Sequence, residues 1–458
     1  MSVAELASRI RSGELTARAA VETSLARIAG LDGELNSFIS VRGEEALAEA
    51  DALDGEEPRG PLHGVPVAVK DVIDVAGART TAASAILAEN VAAHDATVVA
   101  RLRAAGAVVM GKLNTHEFAF GAMTTSAHFG PARNPWDTSR ICGGSSGGSG
   151  AAAAARLVAA TLGTDTAGSI RIPAAYCGVT GLRPSTGRVS NHGVVPVSFT
   201  LDTVGPIAPS AEDCALVLDA IAGLDPLDAS TVAEPVPSYV AALEGGVDGL
   251  RVGLVTQLVD RADPAIAEAV RAAVSVLADA GADVVEVEVP LLDEAGTILP
   301  LIMLPEASEV HLPWMRTRLE EYGGDVRIRL LTGMMLPATS TATGRRARRW
   351  YCDSLGEVFG RCDLLVAPQM LAQPPRIGEE TVEVGGEKIL YRLSVIATNS
   401  PWTLAGLPVA SVPCGFAAGL PVGLAIVGSR FAEATVLRAA HAFQRVTDWH
   451  ERRPELAG

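Results

Sequence analysis

The chain has 458 residues, 48% of them hydrophobic but only 4% aromatic, with a formal net charge of −16. This is a soluble globular composition with material for a large interior of Ala, Val and Leu. The acidic balance argues against direct nucleic-acid binding, and the one basic cluster, Arg345, Arg346, Arg348 and Arg349, reads as a solvated helical face. Six cysteines, at 142, 177, 214, 352, 362 and 414, form no CxxC pair or zinc spacing, so reduced thiols are expected.

Residues 1–60 read as a helical N-terminal segment. Ser2-Val3-Ala4-Glu5 has the form of a capping box. Over residues 16–28, Ala20, Leu25 and Ile28 fall near one face of a 3.6-residue period. The opening lacks a basic segment followed by an apolar core, and no apolar run approaches a membrane span, so a cytoplasmic protein is expected. From Pro61 onward, β-branched runs at 66–75, 107–110 and 157–162 alternate with Ala-rich helical stretches such as 95–105. That alternation predicts an α/β layer structure with a largely buried sheet. A βαβ unit follows: a strand at 250–255, a helix opening at Asp263-Pro264 and closing before Gly281, and a strand at 284–289. Further buried strands are expected at 364–367, 409–412 and 424–427. No repeat or long polar linker divides the chain. The expectation is a single large domain over 1–458, a central mixed β-sheet flanked by helices on both faces, with a variable substrate-side region at about 225–350. Within it, residues 291–341 hold Met303, Trp314, Met315, Met334 and Met335, which suit either plain core or an adaptable apolar pocket.

Three segments carry the chemistry. Only three of the 37 basic residues are lysines, and Lys70 ends the apolar run Gly64-Val65-Pro66-Val67-Ala68-Val69. Burial disfavours an ammonium, so such a lysine tends toward the neutral, basic form. Something for that base to deprotonate is supplied by the tract Gly143-Gly144-Ser145-Ser146-Gly147-Gly148-Ser149-Gly150 and by Gly163-Thr164-Asp165-Thr166-Ala167-Gly168-Ser169-Ile170-Arg171. The tract also fits a nucleophile elbow, but turn-forming Asn134-Pro135-Trp136-Asp137 precedes it where a strand should run, and no downstream histidine has a telling context. A P-loop would need Gly-Lys-Ser/Thr, which is missing, and a linker would not lead straight into helix-prone residues 151–157. A cysteine hydrolase could nominate Cys142 or Cys177, but nothing sets a glutamate beside either. Asp165 and Arg171 are expected to pin their loop by ion pairing.

These segments, in this order, resemble the amidase signature family, and Tyr176-Cys177-Gly178-Val179-Thr180-Gly181-Leu182-Arg183-Pro184, Asp363-Leu364-Leu365-Val366-Ala367-Pro368 and Gly406-Leu407-Pro408 extend the resemblance over nearly the whole chain. It implies a metal- and cofactor-independent amidohydrolase. Ser169 would be the nucleophile, Ser145 the bridging serine after a cis peptide with Gly144, and Lys70 the base. Backbone N–H groups of Thr166, Ala167, Gly168 and Ser169 could hold the oxyanion, each such donor being worth about 2.7–4 kcal/mol. Ala167 stands where many family members carry glycine. Candidate substrate contacts are Ser146, Met123, Arg348 and Trp314, Arg348 by its likeness to the arginine that grips the amino-acid substrate in the A subunit of the tRNA-dependent amidotransferase, although Arg345, Arg346 or Arg349 fit nearly as well. The Met-rich stretch favours a free-standing amidase acting on a less polar small-molecule amide. The alternative is the glutaminase A subunit of an amidotransferase, and the resemblance leaves a homodimer or a second, partner protein open.

Overall fold

The computed structural model describes residues 1–456. Eleven strands build one sheet: β1 (Phe38–Val41), β2 (Pro66–Lys70), β3 (Val108–Leu113), β4 (Ala160–Asp165), β5 (Thr180–Arg183), β6 (Thr203–Ala208), β7 (Arg251–Val255), β8 (Asp283–Val287), β9 (Leu364–Pro368), β10 (Val409–Ala417) and β11 (Leu420–Gly428). Their order across the sheet is β1-β3-β2-β4-β6-β5-β10-β11-β9-β7-β8. The pairs β2/β3, β2/β4, β7/β8 and β7/β9 are parallel and the others antiparallel, so the sheet is mixed. The main helices are α1 (Val3–Arg11), α2 (Ala17–Leu35), α3 (Gly43–Asp54), α4 (Thr97–Ala104), α5 (Gly147–Ala154), α6 (Arg171–Cys177), α7 (Ala211–Ile221), α8 (Pro264–Asp279), α9 (Glu294–Arg318), α10 (Gly324–Met335), α11 (Ala338–Phe359), α12 (Tyr391–Ala405) and α13 (Glu433–Arg445).

Strand periodicity explains the layers. Side chains alternate across a strand, so Val67, Val69 and Val109 enter the same apolar cluster as residues of α1, α4 and α7, while Ala68, Val108 and Met110 join α2 and α3. Helices thus cover both faces, and β2 is buried along its whole length. Ser2 caps α1 by accepting the Glu5 N–H at 3.1 Å, and Asp263 caps α8 with Pro264 in its first turn.

Four details depart from the sequence expectation. The N-terminal segment is not purely helical, because β1 pairs with β3. The tract 143–150 does not precede a helix but enters it, α5 starting at Gly147. The stretch before it, read as turn, forms a small hairpin of Arg133–Asn134 with Asp137–Ile141; its side chains bond their own turn, and this pair stands apart from the main sheet. Finally, the run expected to extend over 66–75 is a strand only to Lys70, while the region 225–350 supplies β7, α8 and β8, the expected βαβ unit. Its Met-rich part is a helical pair: α9 runs 25 residues despite Pro300, Pro305 and Pro313, with α10 packed against it. Met303 and Met315 lie against the core, whereas Met334 and Met335 face solvent. No described helix is long and apolar enough to cross a membrane.

Candidate active site

Three chain segments meet at the end of β2. Lys70 is the last residue of that strand and its side chain is fully buried. Its Nζ donates to Ser145 Oγ at 2.6 Å and to Thr164 Oγ1 at 2.8 Å. Burial lowers the lysine to about 7, against the opposing pull of Asp165 and Asp202. At neutral pH it is therefore poised between its two protonation states.

Ser145 follows a cis peptide bond with Gly144. The glycine is required here: a Cβ would come within 2.7 Å of Thr124 Oγ1 and 2.8 Å of the Met123 nitrogen. Met123, a predicted substrate contact, is therefore a neighbour of the site, half-buried against Tyr176 and Tyr391. Ser146, another, is occupied otherwise. Its hydroxyl donates to Thr164 O at 3.2 Å and accepts the Thr164 N–H at 3.3 Å, stitching the tract to β4.

Ser169 ends the loop after β4, and its O accepts the Ser146 N–H at 3.1 Å. Its hydroxyl makes no hydrogen bond among the described residues, so the structure joins Lys70 to Ser145 but leaves the Ser145–Ser169 link unmade. The expected oxyanion donors need one correction. The Gly168 N–H already donates to Asp165 Oδ1 at 2.8 Å, because the buried carboxylate takes the nearest donor; the N–H groups of Thr166, Ala167 and Ser169 carry no hydrogen bond among the described residues. Ala167 is half-buried at the edge of an apolar cluster.

The loop is pinned from below. Arg171 Nε lies 3.0 Å from Asp165 Oδ2, as expected from the sequence, and Arg183 adds a second partner at 3.1 Å that the sequence did not signal. Burial would raise the Asp165 carboxyl, yet the two guanidinium groups hold it well below the usual range. Asp202 holds the loop from the other side, accepting the Thr166 hydroxyl at 2.5 Å. The remaining two candidates are engaged by other groups of the chain. Arg348 donates to the carbonyls of Leu404 at 2.7 Å and Thr200 at 3.3 Å. Trp314 stacks on Phe118 with ring centroids 5.8 Å apart. Thr164 and Thr124 were missed by sequence reasoning because a lone threonine in a loop or strand end carries no spacing signal.

A buried amine bonded to one serine hydroxyl, with a second serine and free backbone N–H groups in the adjoining loop, holds the kinds of group that serine acyl transfer uses. A family model described as Amidase matches residues 19–437, and the chain belongs to this amidase signature family of amide-hydrolysing enzymes. The A subunit of glutamyl-tRNA(Gln) amidotransferase from Roseiflexus sp. (strain RS-1) is 41% identical, the match covering 100% of this chain and 98% of that protein. Among solved structures, a chain from an unexpected vestigial protein complex that reveals the origins of an s-triazine catabolic enzyme superimposes with a TM-score of 0.93 at 38% identity, covering 99% of this chain and 100% of that one. The corresponding A subunit from Thermotoga maritima gives 0.82 at 36% identity, covering 96% and 95%.

Proposed function

We propose that the chain hydrolyses a carboxamide through an acyl-enzyme on Ser169. The Ser169 hydroxyl passes its proton to Ser145 as Ser145 passes its own to neutral Lys70, and Oγ bonds to the carbonyl carbon. The oxyanion is met by the N–H groups of Thr166, Ala167 and Ser169. As the C–N bond breaks, the leaving nitrogen takes the proton back from Lys70 through Ser145; water then releases the acid by the same relay. The observation that carries this is the 2.6 Å bond between a fully buried, easily deprotonated Lys70 and Ser145.

The amide we favour is that of glutamine, with the chain working as the ammonia-releasing A subunit of an amidotransferase-type assembly in the cytoplasm. Full-length identity to proteins of that name supports it, and the Met-rich stretch, with two of its methionines in solvent, gives a free-standing apolar-amide enzyme little support. A free-standing amidase remains the second reading, favoured by Met123 beside Gly144 and by the engagement of Arg348 with two backbone carbonyls. The test is ammonia release by the purified chain from glutamine, asparagine and a panel of aliphatic, aryl and urea-like amides. Turnover of a non-amino-acid amide by the chain alone removes the amidotransferase reading; glutaminase activity that appears only with a partner removes the other. Ser169→Ala is expected to cut kcat by roughly 10⁵-fold or more; wild-type turnover in that variant removes the nucleophile assignment.

A further inference from the structure

The loop from His116 to Thr124 joins two parts of the molecule that the sequence keeps apart. At one end, the His116 N–H and the Thr124 hydroxyl both donate to the carbonyl oxygen of Ser145, each at 3.1 Å. At the other, the loop grips the first turns of α10. His116 Nε2 lies 2.8 Å from Asp325 Oδ2, Glu117 accepts the Gly323 N–H at 2.7 Å, and the Phe120 carbonyl accepts from Arg329 at 2.6 Å. The Phe118 ring closes the grip on α9, 4.3 Å from His311 between centroids. His116 itself is buried and wedged against Gly121, where a Cβ would come within 2.3 Å of its Nε2. Asp325 is half-exposed and also bonds Arg329 at 2.8 Å.

We propose that His116 is a positioning residue: held by Asp325, it carries the placement of α10 to the main chain of Ser145 and so sets the geometry of the Lys70–Ser145 pair. Two donors fix the Ser145 carbonyl, and both come from this loop. Moving α10 therefore moves the serine. The inference rests on the acyl-enzyme reading above and gives the helical pair α9–α10 a part in tuning the relay.

Labelling by a fluorophosphonate reads the nucleophile without an amide: Ser169 Oγ bonds to phosphorus, fluoride leaves, and the hydroxyl proton goes through Ser145 to Lys70. His116→Ala and Asp325→Asn are each expected to slow labelling about tenfold, the scale of a lost hydrogen bond to a charged group. The double variant slows no further than the slower single one, because both act through one contact. His116→Gln, whose amide can still donate to Asp325, recovers most of the rate, and Arg327→Gln on the same helix stays at the wild-type rate. With an amide substrate, kcat falls and KM holds. Asp325 is at the surface, so Asp325→Asn carries the test even if His116→Ala folds poorly. Wild-type labelling in Asp325→Asn, losses that multiply in the double variant, or a rise in KM at constant kcat overturns the proposal. Ser169→Ala separates the two claims. Labelling that survives in it removes the acyl-enzyme reading, whereas its silence alongside a wild-type rate in Asp325→Asn removes this inference alone.

Discussion

Gly168 and Lys70 show how far single residues decide this site. Gly168 sits at φ +111°, and a Cβ there would meet the Asn399 side chain at 2.5 Å. Gly168→Ala is therefore expected to displace the neighbouring Ala167 and Ser169 N–H groups and lower kcat/KM by about 10²-fold, the scale of one oxyanion donor lost. Asn399→Ala made in addition should not restore it, because the backbone conformation stays forbidden to a side chain after space is cleared; recovery in the double variant would assign the fault to crowding instead. For Lys70 the sign follows from its proposed role as a base. Only the neutral amine accepts a proton, so kcat/KM should rise with pH through about 7 and level off above it. A profile flat from pH 6 to 9 would mean that the lysine does not limit the relay. Lys70, Ser145 and Ser169 stood out as candidates because of the runs they stand in, a cation in an apolar strand and hydroxyls among glycines, and the structure joins the first two. Thr164 and His116 were not, since their partners arrive from segments far along the chain.

Elements are tied to one another by buried charge. Asp165 at the end of β4 pairs with Arg171 at the start of α6 and Arg183 at the end of β5, and Arg171 reaches Thr403 in α12 at 2.7 Å. Removing one partner leaves the others charged and dry, a loss of about 3–5 kcal/mol. Arg183→Met should accordingly lower the unfolding midpoint in urea well beyond the effect of an exposed change such as Arg327→Gln; equal midpoints would show that the pair contributes nothing. A second tie holds α1, whose Ala4 N–H donates to Asp213 at 3.2 Å. Burial raises the Asp213 carboxyl to about 6. Its folded-state value lies above the ordinary one near 3.9, so its contribution to stability is complete below about pH 4 and is lost as pH rises through about 6. Asp213→Asn should flatten that part of the stability profile, as read by urea unfolding between pH 4 and 7. The elements themselves were largely visible in sequence wherever period and caps agreed, as in α1, α2, α8 and the β7–α8–β8 unit. The hairpin before Ser145 and the strand β1 were not. Both are short, and their pairing comes from tertiary contact rather than from local pattern.

At the scale of the whole molecule, composition and alternation were enough to foretell an α/β layer structure, and the family resemblance a mixed sheet with helices on both faces, but neither announced the strand order. Nothing local announces that β5 lies beside β10, a partner supplied by residues beyond 400. A chain ending before β9 is therefore expected neither to take up the fluorophosphonate nor to unfold cooperatively; labelling of such a fragment would show that the first 360 residues make the site unaided. The same arrangement bears on synthesis. Arg171, two residues past Ser169, waits for a partner 232 positions further on. At ordinary elongation rates of roughly 5–20 residues per second that interval is on the order of 10–50 s. Throughout it the ribosome holds a polypeptide that already contains Lys70, Ser145 and Ser169 but not the anchor of their loop, so on the proposed mechanism hydrolytic power waits for residues beyond 400.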